Sequence, residues 1–324
     1  GNNKTGEELE LALRERVGRV VIDNLDEIDR LATQAAERGT RQAVLLRVNP
    51  AVAARTHEHL QTGAADSKFG LSLSSDDAAT GVGMIAERPS LDFRGLHFHI
   101  GSQIGEIEPY REALDRAFRF ARGLRDRGLP LRELSPGGGY RVRYLPSDTP
   151  VDTVAMAHEV AKMVVEIAER HGFAGALPDL SIEPGRALVA SAGLAVYRVG
   201  SVKAVPGGRT YVAVDGGMAD NIRPTAYGAE YTAVLANRMT HAAEATFAIA
   251  GRYCESGDIL IREVRLPRPR PGDLVAIPAS GAYHLAMASN YNLAPRPAVV
   301  VVADGVARLV RRRETYADLV ATEV

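Results

Sequence analysis

The chain has 324 residues, 46% of them hydrophobic, and a formal net charge of -1, which is enough apolar material for two buried cores. The near-neutral balance leaves no electrostatic footprint for nucleic acid or an anionic membrane, and no segment has the length and apolarity of a signal peptide or transmembrane helix, so a soluble cytoplasmic protein is expected. A single cysteine, Cys254, excludes an intrachain disulfide and points to a reducing compartment, while the only lysines are Lys4, Lys68, Lys162 and Lys203.

Thr5 followed by Glu8 has the form of a capping box, so a helix with Leu9, Leu11, Leu13 and Val17 as its apolar face is predicted at once. Gly18 to Asp23 reads as a buried strand closed by a polar residue. Leu25, Ile28, Leu31 and Ala35 then mark a helix over 24–39. A second strand over 43–49 ends at Pro50. The polar stretch that follows, through His57-Glu58-His59 to Ser67-Lys68-Phe69-Gly70, is too long for an ordinary βα connection and is a candidate functional loop. A helix over 75–87, a strand over 93–100, a helix over 109–128, a strand over 131–134 and a helix over 151–171 lead to Leu180-Ser181-Ile182-Glu183-Pro184-Gly185-Arg186. Five βα units in a row, each strand ending in polar or glycine residues, predict a parallel barrel.

A closed barrel of this type needs eight such units, so the expected architecture is an incomplete TIM-type α/β barrel over 1–188, with the remaining units upstream of Gly1. Its open strand edges predict poor folding in isolation. Beyond Arg186 the pattern changes to strands over 194–204, 210–214, 246–250, 259–266, 274–278 and 298–313, with Asp304-Gly305 as a tight hairpin turn. A mostly antiparallel β domain over 189–324, with a terminal helix from about Glu314, is expected.

Several stretches can carry chemistry. Glu183 and Arg186 fall at a strand's C-terminal edge, where α/β barrels keep their active sites; the alternative is a β-turn with a surface ion pair. Gly137, Gly138 and Gly139 offer backbone amides that can approach a phosphate, or simply a tight turn. Ser102 after another strand end, and the guanidinium of Arg186, can serve the same anion. His97 and His99 share a strand face by the period of two. Together with His57 and His59 they raise the question of a metal, but no carboxylate stands at ligand spacing, and structural histidines or a ring stacked on a flat cofactor are preferred. Arg223 and Tyr227, one helical turn apart, can bind a carboxylate or belong to an ordinary polar loop. Cys254 can be a small buried hydrophobe or, at an exposed tip beside Glu255, a proton donor. Gly281-Ala282-Tyr283 and Ser289-Asn290-Tyr291-Asn292 form a further polar cluster, in which Tyr283 can donate to a phosphate or substrate.

As an ordered set, Ser-Lys-Phe-Gly at 67–70, His-Phe-His-Ile-Gly-Ser-Gln at 97–103, Gly-Gly-Gly at 137–139, Glu-Pro-Gly-Arg at 183–186, Asp-Gly-Gly-Met at 215–218, Cys-Glu-Ser-Gly-Asp at 254–258 and Gly-Ala-Tyr at 281–283 resemble the pyridoxal-phosphate decarboxylases with an alanine-racemase-like barrel. Cys-Glu rather than Cys-Asp, with Ser-Asn-Tyr-Asn, is most similar to their diaminopimelate branch. The resemblance implies decarboxylation of meso-2,6-diaminopimelate to L-lysine with pyridoxal 5'-phosphate. It places His99 on the pyridine ring and Glu183 on the ring nitrogen, with Ser102, Gly137, Gly138, Gly139, Gly185, Arg186 and Tyr283 at the phosphate and ring. Arg186, Arg223, Tyr227 and Tyr283 would meet the substrate, Glu255 would read its distal amino group, and Cys254 would protonate the product carbanion. Cys254 and Glu255 would come from a second copy, which implies a homodimer with a shared site.

One departure stands out. The family's Schiff-base lysine belongs to an early barrel strand, in a Tyr-Ala-x-Lys-type sequence, and none of the four lysines matches it. The expectation is that it lies upstream with the other barrel units. The alternatives are a decarboxylase of ornithine, lysine or arginine, and a non-catalytic relative that acts by binding.

Overall fold

A computed structural model describes residues 1–52, 67–149 and 151–324, so the His57/His59 pair and most of the loop that contains it lie outside the described residues. The chain divides into two units, Gly1–Arg141 with Val151–Gly185, and Val142–Pro150 with Arg186–Val324.

The first unit opens with α1 (Gly6–Arg14), where Thr5 and Glu8 make both halves of the capping box. Leu9 and Leu13 are buried but Leu11 and Val17 are exposed, so the helix buries a narrower stripe than its apolar residues suggest. There follow β1 (Val20–Ile22), α2 (Leu25–Glu37), β2 (Gln42–Asn49), the short β3 (Leu71–Ser72), α3 (Asp77–Ala86), β4 (Leu91–His97), α4 (Glu108–Arg125), β5 (Glu133–Ser135), α5 (Thr153–Arg170), β6 (Asp179–Leu180) and the one-turn α6 (Gly185–Val189). All pairings in the sheet are parallel, in the order β1-β2-β4-β5-β6, with β3 added to β2. Successive strands lie side by side without a reversal of order, which is barrel winding and not the doubly wound pattern. β2 is buried along nearly its whole length, as a strand covered on both faces must be. Ile28, Leu31 and Ala35 of α2 are fully buried. They are the positions that helical spacing assigned to the core.

The second unit contains β7 (Ala195–Ala204), β8 (Thr210–Val214), α7 (Arg223–Tyr227), β9 (Val234–Leu235), β10 (Ala245–Ala250), β11 (Ile259–Leu266), β12 (Leu274–Ile277), β13 (Val299–Ala303), β14 (Val306–Arg311) and α8 (Tyr316–Leu319). Six strands form one sheet in the order β11-β10-β8-β7-β12-β9, antiparallel except for the β8–β10 pair. Its core includes Val199, Val212, Ile249, Leu260, Val275 and Ile277, together with Val142 and Tyr144 from the segment before Pro150. β13 and β14 make a separate hairpin with Asp304 and Gly305 both at positive φ, the turn that the Asp-Gly pair specifies. Among the described residues no helix is long and apolar enough to cross a membrane.

Candidate active site

In the first unit the candidate residues converge at the C-terminal ends of β4, β5 and β6. β4 stops at His97, two residues short of His99. His97 is 5% exposed, and its Nε2 lies 3.0 Å from Glu183 Oε1. This contact holds the Glu183 carboxyl below its usual range against the opposing effect of burial, and the charge of Arg47 adds to it. His99 is pushed down to about 4, chiefly by burial and then by Arg47 and His97, so near neutral pH it is an uncharged ring. The Gly138 amide donates to His99 Nδ1 at 3.2 Å, which leaves the ring's proton on Nε2.

The glycine run is required by packing. A Cβ on Gly138 would lie 1.9 Å from the Glu183 carbonyl oxygen, one on Gly139 2.3 Å from that of Gly101, and one on Gly137 2.8 Å from His99 Nδ1. Gly137 and Gly139 also have positive φ. The run thus presses directly against the loops that carry His99 and Glu183. Two of its amides are committed within the chain, Gly137 to Ser135 Oγ and Gly138 to His99. The Gly185 amide donates to the Glu183 carbonyl. Ser102 lies in the segment tied to the same loop through Ile104, whose amide donates to the Gly139 carbonyl.

Asp23 and Arg47 belong to no recognisable motif in the sequence. Arg47 Nη1 stands 3.4 Å from Asp23 Oδ1, with both side chains buried, and together with His97 and Glu183 they line a cavity of about 190 Å³. Asp23 is the polar end of an apolar strand, and a polar residue in an apolar strand, repeated at Arg47 in β2, is the signal that finds them. Among the described residues no group of histidine, cysteine and carboxylate side chains is arranged to hold a metal.

In the second unit two buried arginines flank one tyrosine. Arg186 Nη1 donates to Tyr144 Oη at 2.6 Å, and the Arg223 guanidinium lies 4.9 Å from the centre of the Tyr144 ring and donates to Tyr231 Oη. Arg223 is placed by α7, whose N-terminus is held by Asn221 Oδ1 accepting from the Arg223 amide and whose C-terminus stops at the left-handed Gly228. Arg223 pairs with no carboxylate among the described residues. Tyr227 ends the same helix, half-buried. Tyr283 covers Arg186, with 4.5 Å between the guanidinium and the ring centre. Its left-handed φ of 56° is a strained setting for a bulky residue. The strain is imposed by the Gly281 amide donating to Ala190 O and the Ser280 amide to Gly193 O, an approach in which a Cβ on Gly281 would meet the Val189 carbonyl at 1.8 Å. Burial, and the charge of Arg223, push His284 down to about 4.

The turn between β10 and β11 exposes Cys254 and Glu255. It is tied by Asp258, which is 3% exposed and accepts from the Tyr253 amide at 2.9 Å and the Met218 amide at 2.7 Å. Glu255 Oε1 accepts from Tyr291 Oη. Tyr144 and Tyr231 belong to no motif in the sequence, whereas Asp258 and Tyr291 fall inside stretches that the sequence marks, but their contacts to Met218 and Glu255 lie 40 and 36 residues away.

The model of the pyridoxal-dependent decarboxylases' pyridoxal binding domain matches residues 1–190. Diaminopimelate decarboxylase of Bacillus subtilis is 44% identical over the whole chain, which covers 74% of that protein. The chain belongs to the diaminopimelate decarboxylase family. A second member, from Actinosynnema pretiosum, is 47% identical with 72% of its length covered. Among solved structures, the diaminopimelate decarboxylase of Helicobacter pylori complexed with L-lysine superposes with a TM-score of 0.90 at 29% identity, over 99% of this chain and 77% of that one. That of M. jannaschii with L-lysine gives 0.91 at 32%, over 100% and 73%. The family's barrel and β domain are the two kinds of sheet described above.

Proposed function

We propose that the chain decarboxylates meso-2,6-diaminopimelate to L-lysine with pyridoxal 5'-phosphate, as its relatives' names imply. The observation that carries this is the Glu183 carboxylate, kept anionic by His97 beside a neutral His99 and a glycine loop packed without room for any Cβ. An exposed carboxylate held anionic suits a protonated ring nitrogen, and an uncharged ring suits a flat aromatic face, so these residues fit the cofactor. Bound pyridoxal 5'-phosphate supplies the electron sink for the bonding pair released as CO2 leaves.

The chain's own residues bind and orient the cofactor and the substrate. Glu183 would hold the ring nitrogen and His99 the face of the ring. Ser102, Gly139, Arg186 and Tyr283 would hold the phosphate end, with Gly137, Gly138 and Gly185, whose amides are taken by Ser135, His99 and Glu183, letting the loops approach it closely. Arg186, Arg223 and Tyr227 bind the distal carboxylate of the substrate, which for Arg223 replaces lost hydration with a charge partner. Tyr283 also faces the substrate, Glu255 takes its distal ammonium, and Cys254 Sγ returns a proton to the reacting carbon. Cys254 and Glu255 act in the site of a second copy, so the active form is a cytoplasmic homodimer.

The experiment is CO2 release from meso-diaminopimelate in the presence of pyridoxal 5'-phosphate, with ornithine, lysine and arginine as controls. Turnover of diaminopimelate alone is expected. Release from another of the four would change the substrate, and none from any would leave a binding protein.

A further inference from the structure

The Ser289-Asn290-Tyr291-Asn292 segment has no part in the roles above. Tyr291 donates its hydroxyl to Glu255 Oε1, and its ring meets Tyr253, the neighbour of Cys254, edge-on at 5.6 Å. The segment is held independently of Glu255. Asn290 Nδ2 donates to Ala294 O at 3.1 Å and to Glu314 Oε2 at 2.7 Å, and Asn292 and Leu293 both take left-handed backbone. Glu255 is exposed and, among the described residues, has no basic partner. An exposed glutamate has several rotamers to lose on binding a ligand, whereas a tyrosine ring with two torsions and a packed edge has few. The hydrogen bond from Tyr291 engages Oε1 and leaves Oε2 to a ligand.

We propose that Tyr291 is a specificity-positioning residue, fixing the Glu255 carboxylate so that Oε2 meets the ammonium at the far end of a diamino acid. This rests on Glu255 reading the distal amino group. The hydrogen bond to Glu255, and the nearby charges of Glu255 and Cys254, raise the Tyr291 phenol above its ordinary range.

The test uses Tyr291→Phe, which keeps the ring against Tyr253 and removes only the hydroxyl, beside Glu255→Gln and the double variant, each in the holoenzyme. Tyr291→Phe is expected to raise KM for diaminopimelate about tenfold with kcat within about twofold, and the double variant to be no worse than Glu255→Gln alone. Ultraviolet titration gives a readout independent of turnover: one tyrosine that ionises late in the parent should ionise earlier in Glu255→Gln and be missing in Tyr291→Phe. If Glu255→Gln raises KM and Tyr291→Phe does not, the positioning role is overturned and the role of Glu255 stands. If neither variant changes KM, the role of Glu255 has failed as well. A tyrosine titration unmoved by Glu255→Gln would remove the hydrogen bond itself.

Discussion

Arg223 illustrates what a single buried cation demands. It is 5% exposed, with two tyrosine rings and one tyrosine hydroxyl as company, and such a group gains most from an anion that arrives with the ligand. Arg223→Met should raise KM for diaminopimelate about 10- to 100-fold, the worth of a charge-assisted hydrogen bond, as steady-state kinetics would show. His99 and His284 make a different demand. Both are lowered from 6.5 to about 4 by burial, so the unfolded chain binds their protons at a higher pH than the folded one. Their contribution is complete above about pH 6.5 and is lost as pH falls towards 4, by about 2 kcal/mol each between pH 7.5 and 5. Urea midpoints across that range should fall on acidification, and the slope should be shallower in His284→Gln.

Among the elements, the turn between β10 and β11 depends on one carboxylate. Asp258 accepts from an amide within its own turn and from another in the Gly216–Met218 loop, and it occupies space that a Cβ on Gly251 or Gly217 would take, 2.0 and 2.6 Å from its oxygens. Asp258→Ala should leave both amides without an acceptor, costing about 2–4 kcal/mol and speeding modification of Cys254 by a thiol reagent, while Asp258→Asn keeps one acceptor and falls between. The contrast with α2 shows what sequence can and cannot tell. Ile28, Leu31 and Ala35 advertise their burial by spacing alone, and the Thr5/Glu8 box and the Asp304-Gly305 turn are local chemistry. Asp258 reaches a partner 40 residues away through backbone amides, which no side-chain pattern encodes. Tyr144 lies in an irregular segment with no period to read, and the two-residue β9 is too short to show one. The C-terminal end of β4 is hidden in the sequence because Phe98 and Ile100 are fully buried, so the apolar run continues past the last strand pairing.

At the scale of the molecule, the order of side-by-side parallel strands followed by a mixed sheet could be expected from the change of pattern at Arg186, but the boundary between the units could not. Sequence suggests one crossing near residue 188; in the structure the backbone changes unit after Arg141, again before Val151 and finally after Gly185. Val142 and Tyr144 are core residues of the second unit carried within the sequence of the first, and Tyr144 is also the hydroxyl to which Arg186 donates. The consequence is one of heredity as much as of folding. A fragment beginning at Arg186 lacks part of its own interior and should elute as an expanded, poorly folded species on size exclusion, whereas the same fragment with residues 142–149 supplied through a linker should become more compact. For the same reason, neither half can be exchanged between relatives as a cassette cut at a single point. Recombination that respects the fold has to move the two segments of the second unit together.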